Sequence, residues 1–474
     1  MVIIIKNISI WKNSVKKKKY PQLNEDKLVD VLIIGGGLTG VSSLYHLRNS
    51  NLNVMLVEQN EIGMGVTANS TGKLSYLQND LIDKIRKTCN DFVASFYLKS
   101  QIDAIKRVVD TVDKEKIACD LEMVDSILYT NKEDEIAKII NLENFLIDNN
   151  ISVTKDKSNL VKSEYMIKVG NTYIFHPLKF LYGLLKNNKY PVYENTSIIK
   201  IAKENGYYLC YTTNHVIKTK WVILASHYPY FIFPFLTPLK VSLEKSYLSA
   251  FNYNGDNISL ISYSKPFISI RNYKDKLIYL SNSHDVNKSV CDRKNFEELT
   301  KKLQDLNLKP DYLWSNIDLI TTDGLPYIGS IKKHMLIATG YNTWGLASSF
   351  LAGEILSDII NNKDNEYTKL FSPKRLNLSH ILGGVSNTSK TIGGYINGFL
   401  NKDKGISYEW HDAKVVAINN NNNNNKVYTS CPHAHCKLIY NEVEETWDCP
   451  CHGSRFMKNG KCISGPANKD ITYK

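Results

Sequence analysis

The stretch Leu28–Gly40, LVDVLIIGGGLTG, decides the fold of the N-terminal part of this chain. Its first half, Leu28–Ile34, is a largely apolar run of the kind that forms a parallel strand covered on both faces. Apolar residues then recur at helical spacing over Leu38–Leu47, and Asn53–Val57 reads as a second strand that ends at Glu58. This order of elements predicts a βαβ unit.

The turn between the first strand and its helix has the spacing of a dinucleotide site. Gly35, Gly37 and Gly40 satisfy GxGxxG, and Glu58 follows 18 residues after the last glycine. Gly35 allows the tight turn, Gly37 lets a pyrophosphate approach the backbone, and Gly40 lets helix and strand pack closely. The carboxylate of Glu58 is suited to ribose hydroxyls, which argues against a 2'-phosphate but does not separate NAD from FAD.

Strands of the first unit return late in the chain. We predict the following elements after Glu58: helices in the charged stretch 80–165, antiparallel strands in Tyr193–Val216, a buried strand at Lys220–Ala225, an antiparallel sheet in 240–283, a strand at Met335–Ala338 and a helix at Gly345–Ile360. A nucleotide-binding domain made of discontinuous segments, with a second domain inserted between them, explains this order better than consecutive domains.

Composition limits the choice of partners and compartment only loosely. The chain has 474 residues, is 43% apolar and carries a formal charge of +12, with cations scattered apart from Lys16–Lys19. We therefore predict no nucleic-acid partner. No apolar run reaches the roughly 18 residues of a membrane span, so we predict no transmembrane segment. We expect a cytoplasmic protein, and residues 1–20, which lack acids, leave organelle targeting open.

Five of the nine cysteines crowd the C-terminal end, which indicates a metal or redox site. Cys431 and His433 form CxH, and Cys449 and His452 form CxxH after a gap of 15 residues. Two short loops would each present one thiolate and one imidazole. Such a set can hold a Rieske-type 2Fe-2S cluster, with two Cys on one iron and two His on the other. The ligand types alone are equally acceptable to zinc.

The N-terminal motifs resemble the FAD-dependent D-amino-acid oxidase superfamily. The resemblance rests on DVLIIGGGLTGVSSLYHL and VEQNEIGMGVTANSTGK, and later on TTDGLPYIGS and IATGYNTWGLASSFLAGEIL. It implies FAD as cofactor, with the late segments closing around the flavin. The candidate cofactor-binding residues are Gly35, Gly37, Gly40, Glu58, Thr67, Ser70, Thr71, Lys73, Asp323, Gly324, Gly340 and Gly345.

Catalytic residues are not identified by these motifs, and three positions are weak candidates. Lys73 would stabilise a reduced anionic flavin if it lies near the ring, and otherwise is a solvated lysine. His176 and His227 stand where the resembling family has its IHP and ATHYP segments. They would border a substrate pocket, unless each is a histidine satisfied within a turn.

The C-terminal flanks decide against zinc, because they resemble Rieske domains. The matching segments are CPHAHCKLIYN, WDCPCHGSRF and GKCISGPA. The resemblance implies the ligands Cys431, His433, Cys449 and His452. It also implies a disulfide that links the two loops and a hydroxyl donor to cluster sulfur; these residues are Cys436, Cys451 and Ser454.

Two positions depart from the Rieske pattern. Phe456 replaces a tyrosine of the family, and losing that hydroxyl should lower the cluster potential. Ala434-His435 stands where the family commonly has Leu-Gly, and we interpret His435 as a surface residue and not a ligand.

The whole chain is identified as a D-amino-acid-oxidase-like protein with a fused Rieske module. The predicted fold is α/β plus α+β: a discontinuous Rossmann-like FAD-binding domain with an inserted antiparallel-sheet substrate domain, then a small all-β Rieske domain. The expected boundaries are a basic lead at 1–27, the oxidoreductase at 28–364 (FAD-binding parts 28–80, 170–235 and 315–364; substrate parts 81–169 and 236–314), a linker at 365–400 and the Rieske domain at 401–474. The run 419–425 is a low-complexity loop within that domain.

The leading hypothesis is an enzyme that oxidises a small amine or amino-acid-like substrate at FAD and passes electrons to the cluster. Its substrate and its electron acceptor or donor stay unidentified. The alternative is an electron-transfer or redox-sensing protein without a small-molecule substrate. A Rieske oxygenase needs a mononuclear iron held by two His and a carboxylate. We do not expect one, because the sequence contains no HxxxxH pair.

Overall fold

A computed structural model gives the fold. It describes residues 6–155, 161–229, 240–255, 257–287, 292–304, 309–375, 386–387, 390–391, 393–394, 406–411, 414–419 and 426–473. Most of the predicted linker after residue 375 and positions 420–425 of the asparagine run lie outside these ranges. Strands are numbered β1 to β26 and helices α1 to α8 along the chain.

The first sheet carries the predicted βαβ unit. Its strands are β1 (Lys27–Ile34), β2 (Val54–Val57), β9 (Val192–Tyr193), β10 (Lys200–Glu204), β11 (Tyr207–Tyr211), β12 (Val216–Leu224), β18 (Tyr327–Lys332) and β19 (Met335–Thr339). The order is β10-β11-β12-β1-β2-β9, and β19 joins the far half of β12 in parallel. Segments distant in sequence thus share one parallel core, which confirms the discontinuous nucleotide-binding fold.

Helices cover the first sheet and extend away from it. They are α1 (Ile10–Asn13), α2 (Leu38–His46), α3 (Leu81–Thr88), α4 (Asp91–Glu115), α5 (Ile136–Asp148), α6 (Pro177–Leu184), α7 (Asp292–Gln304) and α8 (Gly345–Ile360), with short 3₁₀ turns at Leu47–Asn49, Val66–Asn69 and Glu133–Glu135. Helices α2 and α8 touch closely: a Cβ on Gly353 would lie 2.3 Å from Ser42 Oγ. Thr39 Oγ1 also donates to Ser349 Oγ at 3.0 Å, so the first half of α8 lies beside the start of α2.

The second sheet lies against the first and forms the inserted domain. Its strands are β5 (Ser126–Thr130), β6 (Val153–Lys155), β7 (Tyr165–Val169), β13 (Val241–Asn252), β14 (Ser259–Ser262), β15 (Ser269–Tyr273), β16 (Lys276–Asp285) and β17 (Pro310–Thr321), in the order β17-β13-β16-β15-β14-β5-β7-β6. A small sheet joins β3 (Lys73–Leu74), β8 (Tyr173–Ile174) and β4 (Glu122–Met123).

The helical prediction for 80–165 is wrong over β4, β5 and β6. All of Ser126–Thr130 is buried, and it pairs in parallel with β14 and antiparallel with β7. The pairing that buries this short strand depends on β14 and β7, which its local sequence does not show. The charged helices on either side of it give the stretch its helical pattern.

The C-terminal part is all β, as predicted. One sheet contains β20 (Ile406–His411), β21 (Lys414–Asn419) and β22 (Lys426–Tyr428); the other contains β23 (Ile439–Asn441), β24 (Thr446–Asp448), β25 (Arg455–Met457) and β26 (Cys462–Ser464). We call residues 426–473 the C-terminal module. Its core is a cluster of buried residues that includes Trp447 and Phe456.

Buried charges join the C-terminal module to the second sheet. Lys245 on β13 bonds to Asp448 of the module at 2.8 Å, and Arg455 donates to Asp448 at 3.0 Å and to Glu444 at 2.7 Å. Glu444 in turn accepts from the backbone N–H of Ser315 on β17 at 3.0 Å. The module is therefore docked through a hydrogen-bonded network and not only tethered.

The N-terminal lead is packed where it is described. Trp11 is fully buried against His176 and Tyr273, and its indole N–H donates to the carbonyl of Ser70 at 2.7 Å. Within the described ranges, no helix has both the length and the apolar content that a membrane span requires.

Candidate flavin, substrate and cluster sites

The glycine turn has the geometry that a pyrophosphate needs. Gly35 has φ of 113°, and a Cβ there would lie 2.6 Å from the carbonyl oxygen of Ala225. A Cβ on Gly40 would lie 1.9 Å from the carbonyl oxygen of Gly35, so only glycine lets helix and turn meet. Gly37 faces open space, with only Thr67 Oγ1 near at 3.6 Å. It is the N-cap of α2, whose free N–H groups favour an anion.

Glu58 lies at the edge of the same cavity. Its carboxylate accepts from the backbone N–H of Gly36 at 2.7 Å and of Asn60 at 2.8 Å. These two bonds fix the side chain in place, while burial raises the pKa of the carboxyl. A carboxylate has further lone pairs for a ribose hydroxyl, so the predicted role is compatible with the geometry.

The segment after Glu58 forms one wall of this cavity, which is also lined by Thr67, Ser70, Thr71 and Lys73. Thr67 Oγ1 accepts from the N–H of Leu38 at 3.1 Å, so it already occupies one donor of α2. Lys73 differs from its prediction. It is 5% exposed, its Nζ donates to the carbonyl of Leu260 at 2.7 Å, and burial lowers its pKa well below the usual value. Lys73 is therefore a buried cavity residue held by a backbone carbonyl, and not the solvated lysine that was the alternative.

The late segments contribute differently from the prediction. Gly345 lines the cavity, but Asp323, Gly324 and Gly340 are not among the described lining residues. Asp323 is fully buried and receives two bonds from Arg375, at 2.7 and 3.0 Å. These three positions thus shape the loop behind the cavity wall. The sequence did not indicate this role for Asp323, because its partner Arg375 lies in the predicted linker.

Asn342 ties these loops together and was not predicted. Its Oδ1 accepts from the N–H of Thr321 at 2.8 Å, and its Nδ2 donates to the carbonyls of Gly324 and Gly340 at 2.9 and 3.1 Å. The residue type was the local signal for this role: Asn342 has φ of 51°, and asparagine tolerates this left-handed region better than most residues. The neighbouring Trp344 lines the cavity.

The two candidate histidines differ in position, because only His227 lines the cavity. His176 is fully buried, hydrogen-bonds to Ser14 Oγ at 2.9 Å and caps α6 by accepting from the N–H of Lys179 at 3.3 Å. It does not line the cavity, so its prediction as a pocket residue is wrong, because it serves as a helix cap. His227 does line the cavity, with Nε2 3.0 Å from the carbonyl oxygen of Ile317. Burial lowers the pKa of His227 to about 4.

Tyr228 connects the cavity with the C-terminal module. It lines the cavity, is 2% exposed, and its ring centroid lies 5.8 Å from that of His452 and 6.2 Å from that of His433. The two imidazole centroids are 4.8 Å apart. One aromatic ring thus spans the space between the cavity and the paired histidines.

The predicted cluster ligands are brought together from both loops. Cys431 and Cys449 are buried thiols in mutual contact, and the hydrogen bond from Cys449 lowers the pKa of Cys431. His452 is 6% exposed, and among the described residues its Nδ1 has no hydrogen-bond partner. A buried imidazole nitrogen without a partner beside two thiols fits metal coordination.

The disulfide that the Rieske resemblance implies is present. Cys436 and Cys451 are bonded to each other, and their sulfurs lie near Cys449. This proximity alone would make the three cysteines a candidate metal group, but disulfide sulfurs are not thiolate ligands. The free thiols Cys431 and Cys449 are therefore the better ligand pair, and the disulfide links their loops.

Three further residues of the module had predicted roles or positions. Ser454 is fully buried and its hydroxyl hydrogen-bonds to Cys431, where it can donate to a sulfur of the site. Phe456 is fully buried opposite Trp447 on β24. His435 is exposed, with φ of 57°.

The C-terminal module also forms part of the cavity wall. Ile463 and Asn468 line the cavity beside the dinucleotide turn. Asn60 Nδ2 donates to the carbonyl of Ile463 at 3.4 Å, and Asn468 Nδ2 donates to the carbonyl of Ile198 at 3.2 Å. Both predicted cofactor sites thus share one boundary.

An acidic wall of the cavity was not predicted. Glu244 and Asp318 line the cavity from β13 and β17, where they are directly paired across the two strands. Ser246 and Asn316 form the next pair on the same face. Nothing in the local sequence around either carboxylate marks it, because the pair depends on strand register.

Sequence comparison agrees with both halves of this geometry. Residues 30–359 match the family described as FAD dependent oxidoreductase, and residues 399–473 match the Rieske [2Fe-2S] domain. The chain belongs to the FAD-dependent oxidoreductase family and carries a C-terminal Rieske domain. Its cofactors are FAD and a 2Fe-2S cluster, which confirms the predicted enzyme class and both cofactors.

Individual relatives cover most of the chain. It is 29% identical to the putative Rieske 2Fe-2S iron-sulfur protein YhfW of Bacillus subtilis, over 97% of this chain and 96% of that protein. It is 22% identical to the gamma-glutamylputrescine oxidoreductase of Escherichia coli, over 73% and 86%. Among solved structures, glycine oxidase from Geobacillus kaustophilus superposes with a TM-score of 0.62 at 16% identity, covering 74% of this chain and 99% of that one, a likeness of fold alone.

Proposed function

We propose that this protein oxidises a small amine or amino-acid-like substrate at FAD and passes the electrons to its own Rieske cluster. When bound, FAD accepts two electrons at a time and can release them singly, whereas a 2Fe-2S cluster takes one. The residues that would hold FAD are those of the glycine turn and Glu58. Those that would hold the cluster are Cys431, His433, Cys449 and His452.

The observation that carries the proposal is the position of Tyr228. Its ring lines the flavin cavity and lies 5.8 Å from the ring of His452, measured between centroids. A metal-binding imidazole this close to the cavity gives electrons a short path through packed atoms. The buried ion pair between Lys245 and Asp448 supports the same conclusion, because it holds the module in this position.

The chain's own residues also shape the reaction space. His227 is held by Ile317 and is neutral at physiological pH, since burial lowers its pKa to about 4. It can therefore accept a proton only from a stronger acid than a free imidazolium. Aromatic and apolar side chains such as Phe267 and Trp344 line part of the cavity and limit the access of water there.

The names of the relatives favour oxidation of carbon–nitrogen bonds. One is a gamma-glutamylputrescine oxidoreductase, and the fold is shared with a glycine oxidase. We extend this chemistry to the present chain as part of the proposal.

Anaerobic addition of sarcosine, D-alanine, proline, 1,4-diaminobutane and NADH to the FAD- and cluster-loaded protein tests the proposal. We expect one of the amines to bleach the flavin absorbance and to reduce the cluster, which electron paramagnetic resonance detects. Reduction by NADH alone would instead favour an electron-transfer protein without a small-molecule substrate.

Variants at Tyr228 test the path itself. Among the described residues the Tyr228 hydroxyl has no hydrogen-bond partner, so Tyr228→Phe removes little and should leave the rate of cluster reduction unchanged. Tyr228→Leu removes the ring that fills the gap and should slow cluster reduction in a rapid-mixing experiment, while flavin bleaching keeps its rate. Equal rates of cluster reduction in both variants would contradict the assigned path.

A further inference from the structure

One wall of the cavity carries two carboxylates on neighbouring strands. Glu244 on β13 is directly opposite Asp318 on β17, and both line the cavity. Side chains at directly opposite positions have Cβ atoms about 5 Å apart, so like charges there repel. A pair of this kind is costly unless a cation joins it.

Glu244 is only partly neutralised by its surroundings. The residue is 2% exposed, and one carboxylate oxygen pairs with Nζ of Lys265, whose side chain is 52% exposed. The other oxygen, Oε1, is buried and has no hydrogen-bond partner among the described residues. A buried carboxylate oxygen normally has a donor, so Oε1 is open to a ligand in the cavity.

Asp318 also has capacity for a donor. Asn316 Nδ2 donates to its Oδ2 at 3.0 Å. Burial, followed by the nearby charge of Glu244, raises the pKa of Asp318 to about 7. A cation between the two carboxylates would remove both causes of this shift, because it would screen Glu244 and solvate the ionised form.

The described lining residues offer little to a substrate carboxylate. They include no arginine, and their one lysine, Lys73, donates to the carbonyl of Leu260 and has a strongly lowered pKa. Arg271 is buried nearby but does not line the cavity; its NH1 donates to the carbonyls of Gly72 and Phe175. An anionic group placed at this wall would meet two acids instead of a cation.

We propose that Glu244 and Asp318 form a subsite for an ammonium group of the substrate, so that the substrate class is a cationic amine and not an α-amino acid. The inference rests on the proposed amine oxidation and narrows it. An ammonium group carries three donors, which can be shared between Glu244 Oε1, Asp318 and the hydroxyl of Ser246 or Ser283 on the same wall.

Binding to the FAD- and cluster-loaded protein tests this subsite directly. Isothermal titration calorimetry under anaerobic conditions would compare 1,4-diaminobutane and 1-aminobutane with 4-aminobutanoate, D-alanine and sarcosine. We expect the diamine to bind, and the two α-amino acids to bind at least tenfold more weakly. Asp318→Asn and Glu244→Gln should each weaken the diamine by about tenfold or more, the effect of removing a charged hydrogen-bond partner.

Asp311→Asn is the matched control, since Asp311 lies on the same strand but pairs with Lys276 away from the cavity. It should leave diamine binding unchanged. Misfolding would not explain the expected result, because neutral Asn at position 318 removes repulsion and should raise thermal stability while it weakens binding.

The outcomes separate this inference from the function on which it rests. Flavin bleaching by D-alanine or sarcosine, unaffected by Asp318→Asn, would overturn the subsite and leave amine oxidation standing. Binding of no cation, or equal diamine affinity in Asp318→Asn and the parent protein, would also overturn it. Diamine binding that depends on both carboxylates, without any flavin bleaching, would support the subsite and count against the proposed oxidation.

Discussion

Replacing Lys245 by methionine should loosen the Rieske module from the oxidoreductase. Lys245 is 4% exposed and bonds at 2.8 Å to both Asp292 of α7 and Asp448 of the module. Burial alone would lower the pKa of this lysine, but the two carboxylates outweigh it and raise the pKa. The ammonium group is thus charged in the fold and neutralises two buried acids at once.

The expected cost follows from what the two acids retain. Removing one partner of a buried ion pair costs about 3–5 kcal/mol. Asp448 would keep the bond from Arg455 Nε at 3.0 Å, and Asp292 would keep the Tyr247 hydroxyl. We therefore expect the lower end of that range, about 3 kcal/mol, which lowers the equilibrium constant for the docked fold roughly 150-fold.

Guanidinium unfolding of the loaded protein measures this loss, with flavin fluorescence reporting the oxidoreductase and visible circular dichroism reporting the cluster. The matched control is Arg293→Met, which breaks an ion pair to Glu442 across the same interface but at an exposed position, 55% and 32% exposed. Exposed pairs contribute up to about 1 kcal/mol. A loss below about 1 kcal/mol for Lys245→Met, or an equal loss for both variants, would refute the argument that the buried network docks the module.

Three further changes have defined outcomes. Gly40→Ala should lower the melting temperature and the FAD content, because the added Cβ would lie 1.9 Å from the carbonyl oxygen of Gly35. The control Gly170→Ala should be tolerated, because its Cβ would meet only Asp125 Oδ1, at 3.6 Å. The pKa of Asp318 is raised to about 7. Its contribution to the free energy of unfolding is therefore largest below about pH 4 and is lost as pH rises through 7. Asp318→Asn should remove this pH dependence and raise the free energy of unfolding at pH 8 by on the order of 2 kcal/mol, a reduced value because the cavity admits some solvent. Phe456→Tyr should raise the cluster potential by about 20–60 mV in protein-film voltammetry if the new hydroxyl reaches a sulfur, the equivalent of one hydrogen bond for a one-electron couple; an unchanged potential would show that it does not.

Local motifs were the part of this molecule that the sequence could predict. The roles of Gly35, Gly37 and Gly40 follow from a turn of a few residues. The structure shows a close backbone approach at Gly35 and at Gly40, and open space at Gly37. The two Cys/His loops likewise carry their chemistry within short segments. Such features depend on neighbouring backbone, so their pattern survives without knowledge of the tertiary fold.

Contacts between distant segments could not be predicted. Asp323 was expected at the cofactor, but Arg375 holds it behind the cavity wall. The facing of Glu244 and Asp318 depends on the register of β13 against β17, in which a slip of one residue would turn one side chain away from the cavity. His176 showed the opposite problem: a resemblance suggested a pocket, while the actual neighbour, Lys179, makes it a helix cap.

The shared boundary of the two cofactor sites links their stabilities. Asn60, two residues after Glu58, lines the flavin cavity and donates to the carbonyl of Ile463 in the Rieske module at 3.4 Å. The next contact, from Gln59 Nε2 to the carbonyl of Ala467, has the same length. A cofactor that orders the loop after Glu58 therefore also orders the surface on which the module rests, and the module in turn closes that end of the cavity. Because binding free energies are reciprocal, docking of the module must favour FAD to the same degree that FAD favours docking.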